Sequence, residues 1–465
     1  MEPTVFVFLA SLSVSLAFYV RRVGFNLSGT SVLLGLLLAL HGPAYLYYTR
    51  VWGPDTDFFD LILSAAPGED VIGRLDLALA ICFALVCLGI AAADRAHRVT
   101  PARLFQALRE WSTTPMRCSP ASRSMLVIVC SVMAVAVLLP FVAIDSQPSK
   151  VFEYVLSDLG ELDKILLRRE GGGSGVYLYN LLLSAVLPFF AYALLAACVQ
   201  GRHGLTVLLV AFAGLVLMGK AATLSKAPPV VFLLQLFTVY WMTRSLRIDR
   251  SMALKLGGLT TGLFFFASVV ANPTFEGAAL VFEFLFYRVF MIVNEGLVEY
   301  FAAIPFVIPH SWGTQLSWVA GIFQSTPSLP TYWLVGEVHR GGLGSTTTVL
   351  FIGDAWADFA WAGVAGVSFL MGFVVRSIDI QLLTRRRKSV AVVAGLAAMH
   401  FGIFTALNTS FSTALVTGGL LFVVPLVALL TPRARTSLRA SAGGAQELAA
   451  ARVEGFVVGP GISQT

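Results

Sequence analysis

Charged residues are scarce in this sequence. Only 12% of its 465 residues are charged, whereas 57% are hydrophobic. Soluble domains contain about 25% charged residues, so the composition excludes an ordinary soluble protein. The 41 glycines and 35 phenylalanines are typical of packed transmembrane helices, which use small and aromatic residues freely. The composition therefore predicts an all-α polytopic membrane protein.

Cysteine is also rare, and its five positions show no useful pattern. The cysteines lie within apolar runs or in arginine-rich segments, and their spacing matches neither a disulfide framework nor a zinc site. They are Cys82, Cys87, Cys118, Cys130 and Cys198. We therefore expect neither a disulfide scaffold nor a bound structural metal.

The N-terminal apolar run lacks the charge pattern of a secretory signal peptide. Its positive charges, Arg21 and Arg22, follow the apolar residues instead of preceding them. This order is the reverse of that in a signal peptide. We therefore expect a retained first helix with its N-terminus outside the cell membrane.

Eleven apolar runs are long enough to cross a hydrocarbon core about 30 Å thick, which takes a helix of about 17–25 residues. We therefore predict about eleven transmembrane helices. They occupy residues 4–20, 28–48, 75–93, 124–143, 176–199, 204–219, 227–243, 255–272, 355–375, 389–408 and 411–431.

The connectors between these runs are alternately arginine-rich and acidic. The arginine-rich set, with the tail after residue 431, holds 22 of the 32 Lys and Arg but only 6 of the 26 Asp and Glu. The positive-inside rule places this set in the cytoplasm. The arginine-rich connectors are 21–27, 94–123, 200–203, 244–254 and 376–388, and the count of 22 includes Lys255 at the boundary of the fourth.

The same topology leaves three longer loops outside, at residues 49–74, 144–175 and 273–350. Part of the third loop, 276–308, is apolar enough to suggest a further crossing. A single extra crossing would move the basic residues 385–388 outside, against the positive-inside rule. We therefore expect helices that lie at the external interface in this large loop.

The chain is predicted to form a single transmembrane domain over residues 1–431. Residues 432–465 are rich in Ala, Gly, Ser and Arg and show no sustained apolar period. Such a composition cannot bury enough apolar surface to fold. We therefore expect a disordered cytoplasmic tail.

Three charged residues in the large external loop are spaced at helical intervals. If residues 283–299 form one helix, Arg288, Glu295 and Glu299 share a face, because seven residues make nearly two turns. Charges at membrane depth are costly and are functional candidates by default. A purely structural ion pair is the alternative.

Other cations are also predicted to lie outside. Arg168 and Arg169 precede a glycine run, and the planar forks of arginine suit phosphate oxygens. Lys220 and Lys226 flank the external end of an apolar hairpin. An anionic ligand would explain these lysines, and so would snorkelling towards lipid headgroups.

Two aspartates, Asp354 and Asp358, lie one turn apart at the start of an apolar run. The N-terminal end of a helix favours carboxylates through its dipole. A carboxylate or imidazole in such a place is a candidate general base. Stabilisation of the helix start explains the same two residues equally well.

Three segments of the chain form a further pattern: ATLSKAP at 222–228, FLFYRVFM at 284–291 and STTTVLFIGDAWADFAWAGV at 345–364. Together they resemble the bacterial oligosaccharide repeat-unit polymerases, the Wzy-type enzymes of O-antigen and exopolysaccharide assembly. The resemblance implies a membrane glycosyltransferase with a GT-C-like architecture in the bacterial inner membrane. Its active site would face the periplasm and its C-terminus the cytoplasm.

The resemblance also implies a reaction. The enzyme would transfer a growing glycan from undecaprenyl pyrophosphate to the non-reducing end of a lipid-linked repeat unit, with inversion and without a metal or other cofactor. Its partners would be these lipid-linked oligosaccharides, membrane lipids and a chain-length regulator protein, with no nucleic acid. The candidates for binding pyrophosphate are Arg288, Arg168, Arg169, Lys220, Lys226 and Arg340, and those for catalysis are Asp354, Glu295 and His310.

Two alternatives remain open at this point. An O-antigen ligase or other polyprenyl-linked sugar transferase is one, and Asp55 and Asp57 would matter if that transferase used a divalent cation. A lipid-linked glycan flippase or other transporter is the second. A transporter would place ionisable groups along a path through the membrane, and the predicted spans hold almost none away from their ends.

Overall fold

The computed structural model describes residues 2–143, 181–201, 203–221, 227–271, 277–314, 329–341 and 347–431. All regular elements in these ranges are helices. The predicted loop 144–175 with Arg168 and Arg169, the residue Lys226 and the predicted tail 432–465 lie outside the described residues.

Fourteen of the α-helices in the described ranges are numbered here in chain order. They are α1 (Pro3–Phe18), α2 (Gly29–His41), α3 (Val71–His97), α4 (Pro120–Ala143), α5 (Leu187–Val199), α6 (Thr206–Ala221), α7 (Ala227–Met242), α8 (Arg250–Ala271), α9 (Ala278–Phe286), α10 (Ile292–Ala303), α11 (Thr331–Arg340), α12 (Phe351–Leu383), α13 (Val390–Ala406) and α14 (Leu420–Leu430).

Seven helical stretches within the described ranges are long and apolar enough to cross a membrane. Four shorter apolar helices, within α4, α6, α7 and α13, coincide with further predicted crossings. The helical membrane-protein class is thereby confirmed. The total of eleven crossings stays a prediction.

The arginine-rich connectors contact one another at one end of the helical bundle. The Leu27 amide donates to the Leu246 carbonyl at 2.7 Å, and the Arg117 amide donates to the Lys388 carbonyl at 3.1 Å. Each bond joins two connectors that are far apart in the sequence. Their meeting is what the predicted topology requires of segments on the same side of a membrane.

Helices α3 and α12 pack closely because glycines lie between them. A Cβ atom on Gly89 would lie 2.1 Å from the Phe369 carbonyl oxygen, and one on Gly372 would lie 2.2 Å from the Val86 carbonyl oxygen. Small residues at such contacts let two helix backbones approach, as is common in membranes. The close packing fixes α12, which carries Asp354 in its first turn, against the centre of the bundle.

Buried charges hold α12 at its arginine-rich end. Arg376 donates from Nε to Asp94 Oδ1 at 2.7 Å, and both side chains are buried. Asp379 accepts from the Gly29 and Thr30 amides at 2.9 and 2.7 Å, where its negative charge meets the positive end of the α2 dipole. The far end of α12 is thus anchored independently of the residues around Asp354.

Candidate functional site

Two glutamates of α10 hold one arginine of α11. Glu295 and Glu299 are one turn apart and both are buried. Arg340, at the end of α11, donates from Nη2 to Glu295 Oε1 at 2.9 Å. The same guanidinium donates from Nε and Nη2 to Glu299 Oε1 at 3.1 and 2.5 Å. Two carboxylates therefore share a single cation.

The remaining carboxylate oxygens are bonded by hydroxyl groups. The Tyr287 hydroxyl donates to Glu295, at 3.0 Å from Oε2 and 2.8 Å from Oε1, and the Thr347 hydroxyl donates to Glu299 Oε2 at 2.6 Å. Thr347 can reach the site because a Cβ atom on Gly296 would lie 2.0 Å from the Thr348 carbonyl oxygen, so glycine alone fits there. We call Tyr287, Glu295, Glu299, Arg340 and Thr347 the glutamate–arginine cluster.

The environment of this cluster favours one retained proton near neutral pH. Burial raises the pKa of Glu295 from 4.5 to about 7, although the Tyr287 hydrogen bond and the charge of Arg340 oppose the rise. Burial disfavours the charged form of Arg340, but attraction to Glu299 and Glu295 outweighs it and raises the pKa of the guanidinium. The cluster thus contains a permanent cation and a carboxyl that can exchange its proton near pH 7.

We expect the stability of the protein to fall as pH rises through about 7, because the folded pKa of Glu295 lies above its ordinary value of 4.5. A carboxyl with a raised folded pKa contributes stability below its unfolded pKa and loses it as pH rises through the folded pKa. In Glu295→Gln this part of the pH dependence should vanish. The check is the melting temperature in detergent as pH rises from 4.5 to about 7. Glu69→Gln changes an exposed glutamate and should keep the wild-type dependence of melting temperature on pH.

Arg288 does not share a face with the two glutamates, so that expectation is wrong. Residues Tyr287–Met291 form a π-helical turn between α9 and α10, which has more residues per turn than an α-helix and shifts the register of all that follows. Arg288 is exposed, with its guanidinium carbon 5.2 Å from the centre of the Phe284 ring. Its positive charge nevertheless lowers the pKa of Glu295, so the guanidinium lies near the cluster.

Two further arginines in the predicted external segments are already paired. Arg50 donates to the buried Asp76 at 2.8 Å, and Arg74 forms an ion pair with Glu69. Neither arginine was among the predicted site residues. Arg288, by contrast, is exposed and has no ion pair within the part of the chain that the structure describes.

Lys220, at the end of α6, is a buried cation. Its Nζ atom lies 4.9 Å from the centre of the Phe401 ring in α13, a distance that favours a cation–π interaction. This contact helps to accommodate the charge of Lys220 among apolar helices. The lysine is not among the residues that contact the glutamate–arginine cluster in the described ranges.

A second group of polar side chains surrounds the start of α12. Asp354 accepts from the Tyr300 hydroxyl at 3.0 Å, and Asp358 accepts from the Ser311 hydroxyl. His310 Nδ1 lies 2.9 Å from the Trp356 carbonyl oxygen. A carbonyl can only accept, so Nδ1 carries a proton. A neutral imidazole held in this way has its lone pair on Nε2, the nitrogen that could accept a proton from a ligand.

The two groups are neighbours because Glu299 and Tyr300 are consecutive in α10. Burial, Asp354 and Glu299 all raise the pKa of the Tyr300 hydroxyl, which therefore stays protonated and donates. The structure thus brings the three predicted catalytic residues, Asp354, Glu295 and His310, to one end of the bundle. Sequence reasoning did not identify Tyr287, Tyr300 or Thr347, because an uncharged hydroxyl in an apolar run carries no signal until its partner is known.

Sequence and structure comparisons give this chain no assigned relative. It matches no protein-family model, no curated protein and no solved structure.

Proposed function

We propose that this protein is a polysaccharide polymerase. It transfers a growing glycan from undecaprenyl pyrophosphate to the non-reducing end of a lipid-linked repeat unit at the periplasmic face of a bacterial inner membrane. The observation that carries the proposal is the placement of Arg288. This exposed cation without an acidic partner in the described residues lies beside a buried, protonatable carboxyl, at the end of the bundle predicted to be external.

The first chemical requirement is to stabilise the leaving pyrophosphate. A sugar hydroxyl of the acceptor attacks the anomeric carbon of the donor, a new C–O bond forms, and the bond from that carbon to the pyrophosphate oxygen breaks. Arg288 is proposed to contact the departing oxygens, since charge-assisted bonds from guanidinium are strong and planar. Arg168, Arg169 and Lys226 stay candidates for the same role.

The second requirement is a base for the proton of the attacking hydroxyl. Glu295 is the leading candidate, because a base works best when its pKa lies near the operating pH and burial raises its pKa to about 7. Asp354 and His310 are the other candidates. Arg340 is proposed to position the two glutamates, since its guanidinium donates to both of them.

The single displacement at the anomeric carbon is proposed to invert its configuration. We further propose a GT-C-like arrangement of about eleven crossings, with a chain-length regulator protein as partner. No metal or other cofactor is invoked, because guanidinium groups supply the positive charge at the leaving group.

The test is reconstitution of the purified protein with undecaprenyl-pyrophosphate repeat units in the presence of EDTA. A ladder of products on a gel is the expected result. Transfer of a single preformed chain to another acceptor, with no ladder, would replace the polymerase by a ligase. Movement of the lipid-linked unit across vesicles without a new glycosidic bond would replace it by a flippase.

A further inference from the structure

An array of aromatic rings surrounds a break in α12. The backbone of this helix departs from helical geometry at Phe359 and Ala360. Trp312 and Trp361 are exposed near the break, at 65% and 37%. The buried Trp356 connects them: its ring centre lies 5.0 Å from that of Trp361, and 5.1 Å from that of His310, which in turn lies 5.9 Å from Trp312.

Ring stacking and hydrogen bonds hold the array rigidly. Trp356 stacks on Phe301 with ring centres 4.7 Å apart and planes within 12°, and its Nε1 donates to the Ile304 carbonyl at 3.1 Å. The Ser311 amide, next to Trp312, donates to the Ala357 carbonyl of α12 at 2.9 Å. These contacts tie the segment carrying Trp312 to the helix carrying Trp361.

Two residues of the array region adopt a backbone conformation that side chains disfavour. Trp312 has φ 52° and Ala360 has φ 50°, values in the left-handed region that residues other than glycine seldom enter. Such conformations persist where the surroundings impose them, and they concentrate at ligand sites. A ring that only anchored a regular helix at the membrane interface would need no strained backbone.

Carboxylates border the same array. Asp358, half-buried and bonded to Ser311, lies one residue before the break, and Asp354 lies one turn earlier. Carboxylates accept hydrogen bonds from sugar hydroxyls, while the C–H face of a pyranose ring is attracted to the electron-rich face of tryptophan. The same carboxylates would repel a phospholipid phosphate.

We propose that Trp312 and Trp361 form a platform for a pyranose residue of the glycan, with Asp358 accepting from its hydroxyls. The platform rests on the proposed function, because it names a subsite beside the transfer site. It would hold an uncharged sugar ring of a chain whose pyrophosphate meets Arg288.

The test is direct binding without turnover. The probe is the mixture of lipid-free oligosaccharides released by mild acid hydrolysis from the surface polysaccharide of the source organism, and saturation-transfer NMR measures its affinity for the protein in nanodiscs. Trp312→Ala and Trp361→Ala should each weaken binding about tenfold, the loss of one good aromatic contact. Trp312→Phe should restore most of the affinity.

The matched control is Trp333→Ala, which removes an exposed tryptophan of α11 outside the array. It should bind the probe like the wild type. If both alanine variants bound the probe like the wild type, the proposed sugar platform would be refuted and the two rings would be assigned to the lipid interface. This conclusion would hold whether or not the reconstituted protein makes a product ladder. Tryptophan-dependent binding in a protein that makes no ladder would retain the platform and refute the polymerase alone.

Discussion

Replacement of Arg288 by alanine should slow polymer formation in EDTA by about 10²–10³-fold, the usual effect of removing one preorganised group that stabilises developing charge. The binding of lipid-linked repeat units should weaken much less, because the guanidinium acts mainly on charge that develops as the pyrophosphate leaves. The rate of polymer formation by Arg288→Lys should lie between those of the wild type and Arg288→Ala, since lysine keeps the charge but lacks the planar guanidinium.

The matched control for this variant is Arg22→Ala. Arg22 is an exposed arginine at the opposite, arginine-rich end of the bundle, and its guanidinium carbon lies 5.7 Å from the Phe18 ring centre. Like Arg288, it is an exposed arginine beside a phenylalanine ring, but it lies far from the glutamate–arginine cluster. If Arg288→Ala and Arg22→Ala formed polymer at the same rate and of the same length, the polymerase function would be retained and Arg288 would be excluded from its active site.

Replacement of Arg340 by alanine should destabilise the protein by about 3–5 kcal/mol, the effect of breaking a buried ion pair from one side. Glu295 and Glu299 would be left buried next to each other without the cation that they share. Detergent melting curves should show the loss. Adding Glu295→Gln and Glu299→Gln to the arginine variant should recover much of it, because neutral amides need no counter-charge.

Arg74→Ala provides the comparison for this second variant. Arg74 also pairs with a glutamate, but Glu69 is exposed, and exposed pairs contribute only about 0–1 kcal/mol. Equal melting temperatures for the two arginine variants would mean that the glutamate–arginine cluster does not stabilise the fold. A role in holding the carboxylates for chemistry would then be its remaining explanation.

The sequence allowed prediction of the helical membrane class and of the acidic residues that build the site. Composition and run length are enough for the class, because a hydrocarbon core selects apolar helices directly. Glu295, Asp354 and His310 could be proposed because ionisable residues stand out against an apolar chain. The contact between the Arg117 and Lys388 connectors agrees with the alternation of charge along the sequence.

The sequence did not indicate which side chains of the site contact one another. Arg340 lies 41 positions from Glu299, and Tyr300 lies 54 positions from Asp354, so only the packing of α10 against α11 and α12 brings them together. The expected partner, Arg288, was wrong because helical spacing was extrapolated through residues that do not follow it. No local pattern in FLFYRVFM marks the wider turn.

That wider turn contains one residue more than the α-helical turn it replaces. Deleting one residue from Tyr287–Met291 would return the segment to ordinary helical spacing with little rotation of the helical faces on either side, because the wider turn accommodates the extra residue locally. A distant protein that performs the same chemistry without the wider turn would therefore align with this chain only across a one-residue gap, placed inside a helix where gaps are seldom allowed.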